Sequence, residues 1–461
     1  VTVHPYIPNS DPEVRARMLR AIGAESIEDL YESIPEGLRV EGLLNLPEPF
    51  VAEADLVRHV EGLLNRNVST RDAVSFLGAG CYAHHVPAVC DEVNGRSEFL
   101  TAYAGEPYED HGRFQALFEY ASMMGELLEM DVVNVPVYDG YQAAATALRM
   151  AGRITGRFTV LIAASIAADK RSKIVDYLKP DMGVRLVPSH AESGTVDLAA
   201  LREALNEDVA AVLIESPNYF GVVEVDIAHV AEHAHQNGSL FVVSADPISL
   251  GVLAPPATHG GDIVCGDIQS LGMHQYFGGG HAGYIAVRDE EYLVEQLPSR
   301  LFGIAPTSVS GEYGFGDVAY ERTSFAVREH GKEWVGTAAA LWGITAGVYL
   351  ALMGPQGMTE IGETIVARTR YAMKRLSALP RLRVHHLGSL HFREFVLDVN
   401  DTGLTVAEID EALRSEGVFL GKDLSTEFPE FGQSVLVCVT ELTTKANIDL
   451  LVMLLEKVTK V

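Results

Sequence analysis

Cysteine is scarce: four in 461 residues (Cys81, Cys90, Cys265 and Cys438), with no CxxC pair among them. That spacing excludes a disulfide-stapled fold and fits a reducing compartment. No apolar run is long enough to cross a bilayer. The opening VTVHPYIPNSDPEVRARML lacks the apolar core of a signal peptide, so a cytoplasmic location is expected. Positive charge is also short. Against 63 Asp and Glu stand 35 Lys and Arg, a formal net charge of −28. A body so acidic repels nucleic acid and anionic membrane surfaces, and neither is expected as a partner. Lysine is missing altogether between Lys179 and Lys332.

What is present is length, glycine and short apolar runs. The length predicts more than one domain. Residues 1–73 read as an N-terminal helical extension with proline breaks, where Ser10, Asp11 and Pro12 supply a helix start. It has too few apolar positions for a core of its own. Residues 74–335 read as a large α/β domain. Helix-period stretches such as GRFQALFEYASMMGELLEM alternate with the runs FTVLIAA, VRLVP, VAAVLIE, SLFVVSA, DIVCG and AGYIAV. Unbroken β-rich runs between helices predict strands buried on both faces of a mostly parallel sheet. Residues 336–461 read as two long helical stretches followed by a small α+β domain.

Two motifs mislead. Gly278, Gly280 and Gly283 spell GxGxxG, but the pattern runs into the strand-like YIAVR instead of opening a helix. Nicotinamide binding is not expected from it. Cys81, His84, His85 and Cys90 crowd CYAHHVPAVC, yet adjacent histidines do not readily share one tetrahedral site and no second ligand pair follows. No metal is expected. A cleft-lining loop is a better reading than a metal site, and packing alone is the other that stays open.

The informative pair is SADP, with Asp246 closing a buried strand, followed by DIQSLGMHQYFGGGHAGY. This resembles pyridoxal phosphate enzymes of the aminotransferase-like fold (fold type I), which place an aspartate against the pyridine nitrogen and a Schiff-base lysine roughly 25 residues later. Counting on from Asp246 lands near Ser270, Leu271 and His274, with no lysine. The blocks YIPNSDPEVRARMLRAIG, FLGAGCYAHHVPAV, RSEFLTAY, QALFEYASMMGELLEMDVVN, SPNYFGVVE, DPISLG, GVYLALMGPQG and VCVTELTTKANID follow in order. Together they resemble the lysine-less first subunit of the two-subunit glycine decarboxylase, the P-protein family of the glycine cleavage system.

The resemblance implies a joint reaction. Glycine loses its carboxylate as CO2 and its aminomethyl group passes to a lipoyl carrier protein. The pyridoxal phosphate is bound covalently by a homologous lysine-bearing partner subunit, with two of each chain. Asp246, Ser270, Leu271 and His274 would then be a degenerate cofactor site. Tyr82, His84, His85, Tyr103, Glu106, Tyr108 and His111 are the candidate contributors to the partner's site. Three blocks depart from the family pattern: REHGKEWVGT (328–337), Tyr141 with Gln142 in YDGYQAA, and His274 with Gln275. They leave open a paralogous complex acting on another small amine or amino acid. Two further alternatives are a stand-alone pyridoxamine phosphate enzyme using His274 and a non-catalytic scaffold.

Overall fold

The computed structural model describes every residue except 1–2, 41, 43, 101–110, 335–338 and 461. It divides into a leader, Val1–Val68, and a body, Ser69–Val461. In the leader, α1 (Pro12–Ile22) starts where Asp11 accepts from the Glu13 and Val14 backbone N–H groups, and it stops at Gly23 in the left-handed region. With α2 (Glu53–Leu64) it forms a pair of helices that bury none of their own residues.

The body is built on a seven-stranded sheet. Its strands are β1 (Val132–Val133), β2 (Thr159–Ala163), β3 (Gly183–Val187), β4 (Val209–Ser216), β5 (Leu240–Ala245), β6 (Ile263–Asp267) and β7 (Gly283–Val287). Their spatial order is β3-β2-β4-β5-β6-β7-β1. The pairs from β3 to β6 are parallel, while β7 runs antiparallel to both β6 and β1.

The apolar runs are continuous because both faces are covered. Val160, Ile162, Ala211, Leu213 and Val242 join one core cluster with the buried residues of α4 (Gly140–Thr155). Leu161, Ala163, Val212, Ile214 and Phe241 join another with α6 (Ile227–Gln236). Between these helices in the chain lies α5 (Ala168–Leu178). Toward β6 and β7, a third cluster packs under α3 (His111–Leu128) and α7 (Ala340–Leu376). The two expected long helical stretches are the halves of α7, which breaks at Gly354-Pro355. Proline removes an intrahelical hydrogen bond there.

The small subdomain is an antiparallel sheet of β8 (Arg383–Val384), β9 (Glu394–Asp398), β10 (Lys422–Asp423) and β11 (Ser434–Cys438), in the order β8-β9-β11-β10. Helices α8 (Val406–Arg414) and α9 (Lys445–Val458) cover it, each started by a threonine capping box. Among the described residues no helix is long and apolar enough to cross a membrane.

Gly221 packs the large subdomain against the small one, and Glu224 lies buried within the large one. Gly221 has φ +79°, and a Cβ there would fall on the backbone of Glu394. Gly221→Ala is predicted to cost about 3 kcal/mol, measured as a drop in the denaturant midpoint. Glu224 is 3% exposed; one carboxylate oxygen accepts from the Val196 N–H at 3.0 Å and the other is unpaired. Burial lifts its carboxyl to about 7, against an ordinary 4.5. The folded state therefore holds this proton to higher pH than the unfolded chain, and the site loses stability as pH rises from 4.5 to 7. Glu224→Gln should stabilise the protein at pH 8 and have little effect near pH 4.5, as read by thermal midpoints.

Candidate active-site cleft

Ligands in open α/β sheets bind beyond the carboxyl ends of the strands. Here Ser216, Ala245 and Asp267 end β4, β5 and β6. The ends of these strands, the starts of α4 and α5, and loop 78–86 enclose a cavity of about 340 Å³.

The start of α4 is the natural anion cradle, since its first N–H groups lack partners within the helix. Carboxylates already fill it. Asp139 accepts from the Gln142 N–H at 2.7 Å, and Asp267 accepts from the Gly140 N–H at 2.8 Å. The Gln142 side-chain carbonyl takes the Tyr138 N–H at 3.0 Å. Glycine at 140 permits this approach, because a Cβ would lie 2.9 Å from that of Asp267. Asp267 also pairs with His281 at 3.1 Å. Burial alone would depress His281, but the Asp267 carboxylate outweighs it and lifts the imidazole to about 10. Tyr141 lies over this cradle's neighbour, its hydroxyl 3.2 Å from Asp169 and its ring 4.6 Å from the Lys173 ammonium.

Asp246, just past β5, forms an ion pair with Arg393, which is 3% exposed. The Arg393 guanidinium also stacks 3.4 Å from the Tyr82 ring centroid and donates to His84 Nε2 at 2.8 Å. Guanidinium has no acceptor, so His84 carries its proton on Nδ1 and donates it to Glu441 at 2.6 Å. Burial, with the Arg393 charge, holds His84 below the ordinary imidazole range despite Glu441. Glu394, next in the chain, accepts from the Tyr82 hydroxyl at 2.8 Å and the Ala79 N–H at 2.6 Å.

A lysine does reach the cleft, from α5. Lys170 is buried and donates to Glu215 at 2.6 Å and to Ser244 at 3.0 Å. Burial would lower its pKa, but Glu215 more than offsets that and the net shift is upward. Lys170 is therefore held as an ammonium, without the free electron pair a Schiff base needs. The cofactor implied by the resemblance does not fit these residues. Asp246 is neutralised by Arg393, the helix cradle carries carboxylates, and Lys170 is tied to Glu215.

The sequence candidates fall in several places. Tyr82 and Ser270 line the cleft. His84 is buried in the ion network, while His85 is more open and is fixed through its backbone N–H, which donates to Glu441 at 2.6 Å. Leu271 is fully buried in the apolar core. His274 pairs with Asp91 at 3.0 Å and does not line the cavity. His111 opens α3, and Tyr103, Glu106 and Tyr108 lie outside the described residues. Sequence reasoning missed Arg393, Glu394, Glu441, Glu215 and His281. Their one visible signal was a charged pair, Arg393-Glu394, opening a strand otherwise apolar enough to be core. The divergent block 328–337 is fastened by Glu333 to Arg149 and Arg153 of α4.

Removing His84 takes one buried partner from Arg393, which keeps Asp246, and one from Glu441, which keeps the His85 N–H. His84→Ala is predicted to cost roughly 3 kcal/mol in the denaturant midpoint. His84→Gln, which offers both an acceptor and a donor, should recover part of that.

The chain matches the family model described as "Glycine cleavage system P-protein" over residues 4–455. It is 38% identical to a protein of Chlorobium limicola described as probable glycine dehydrogenase (decarboxylating) subunit 1, covering 96% of this chain and 98% of that one. A counterpart of the same description from Geobacillus kaustophilus is 37% identical over 97% of each chain. Among solved structures, an inhibitor-bound glycine decarboxylase (P-protein) of the glycine cleavage system superposes with a TM-score of 0.83 at 32% identity, covering 99% of this chain and 100% of that one. A sphingosine-1-phosphate lyase of Burkholderia pseudomallei shares the fold, with a TM-score of 0.67 at 15% identity over 93% and 95% of the two chains. The chain belongs to the glycine cleavage system P-protein family and is homologous to its subunit 1.

Proposed function

We propose that this chain is the lysine-less half of a glycine decarboxylase that works with a homologous lysine-bearing subunit, two of each. The family is pyridoxal phosphate-dependent, and in this reading the partner holds the cofactor. Glycine gives up CO2, and its aminomethyl group passes to a lipoyl carrier protein. The observation that carries this reading is the state of the cleft: the groups that would grip a phosphopyridine ring are met instead by protein side chains. Likeness along nearly the whole chain to relatives described as subunit 1 agrees with it.

The contribution of this chain to the shared site would come from loop 78–86 and the stretch 101–111. His85 is the suited member of the histidine pair, because His84 is committed to Glu441 and Arg393. Tyr103, Glu106, Tyr108 and His111 supply hydroxyl, carboxyl and imidazole groups of the kinds that position an amino acid. Tyr82 and His84 act by holding the loop.

The test is reconstitution. Release of CO2 from glycine, with a lipoyl carrier present, should require this chain and its lysine-bearing homologue together. His85→Ala should lower turnover of the assembled pair about tenfold or more without dissociating it. Full turnover by either chain alone overturns the proposal, and CO2 release from another small amino acid in preference to glycine favours the paralogous complex.

A further inference from the structure

Loop 78–86 is held from two sides by buried polar side chains. From the large subdomain, Gln269 brackets Tyr82, taking its N–H at 3.0 Å and donating to its carbonyl at 3.1 Å. From the small subdomain, Glu394 takes the Ala79 N–H and the Tyr82 hydroxyl, and Glu441 takes the His85 N–H and His84 Nδ1–H. Arg393 touches both sides. It reaches across from the start of β9 to Asp246 at the end of β5, and on the way it bonds His84 and lies flat on Tyr82.

The backbone of Arg393 shows that this placement is enforced. Its φ is +66°, in the left-handed region that costs a residue with a Cβ roughly 1–2 kcal/mol. A strained position persists where its surroundings over-determine it. The turn sends the Arg393 side chain toward Asp246, while Glu394 goes on into β9 with its carboxylate under loop 78–86.

We infer that Arg393 is a positioning residue: a built-in counter-ion that occupies the place on Asp246 a cationic ring would take, and through that bond fixes loop 78–86 against both subdomains. The chemistry is self-consistent. Asp246 is mostly buried: its Oδ1 accepts from the Ile248 and Ser249 N–H groups at 2.9 and 3.1 Å, and its Oδ2 faces Arg393, the positive partner that balances its charge. Guanidinium supplies several donors in one plane and a flat face, so one group serves the carboxylate, the imidazole and the phenol ring together. Lysine has one donor centre and no such face. This inference rests on the reading that the partner subunit, and not this chain, carries the cofactor of the reaction.

The test uses the full-length chain with two readouts. Backbone hydrogen exchange across residues 78–86 should speed up about tenfold or more in Arg393→Met, while β2, β4 and β5 keep their protection; Arg393→Lys should fall between. Pyridoxamine 5′-phosphate, a pyridine phosphate that needs no lysine, is the binding probe, followed by its absorbance. Wild type should bind it at least about tenfold more weakly than Arg393→Met, in which Asp246 is released. Should Arg393→Met fail to fold, Asp246→Asn cuts the same bond from the other end: it should loosen the loop without gaining affinity for the probe. Loop exchange unchanged from wild type, or equal probe binding by wild type and Arg393→Met, overturns the assignment.

Discussion

A carboxylate that has left water must be answered by a cation or by several hydrogen-bond donors, and this constraint organises the body of the protein. Asp246 sits, mostly out of water, at the carboxyl end of a strand buried on both faces, with the Ile248 and Ser249 N–H groups on one of its oxygens. Arg393 answers it. Arg393 is then itself a buried charge, and its remaining donors and flat face require His84 and Tyr82. These recruit Glu441 and Glu394 in turn. The chain of partners ends at backbone N–H groups of loop 78–86, so one of the two sides that hold the loop is continuous with the Asp246–Arg393 pair.

The same logic operates at the start of α4. A helix N-terminus at the mouth of a cleft attracts an anion. In this protein Asp139 and Asp267 provide it from within, and His281 balances Asp267. Lys170 and Glu215 form a third buried pair beneath the cavity. The acidity of the chain is thus more than surface solubility. A handful of its carboxylates serve as internal ligands, in places where the fold could otherwise receive an external one.

The P-protein family and the low-identity structures with the same strand arrangement share a scaffold whose binding edge is set by topology. Side chains at that edge decide what it does. Here they make the edge self-contained. The architecture persists because the clusters on both faces of the sheet do not depend on the cleft.

Sequence alone determined the alternation of strands and helices, the buried parallel core, the second subdomain and the missing lysine after Asp246. Each is local: apolar runs, caps, glycines and spacing act within a few residues of themselves. The short β1, the hairpin of Phe302–Pro306 with Tyr313–Asp317 and the pairing of Val74 with Val418 escaped notice, since brief strands have no period to read. Only the tertiary structure showed that Arg393 meets Asp246, that His84 and His85 part ways, that His281 rather than His274 borders the cleft, and that Lys170 enters it from another helix. Those facts join residues far apart in the chain, and the driving force is the cost of an unpaired buried charge, which exists only once the fold has removed the water.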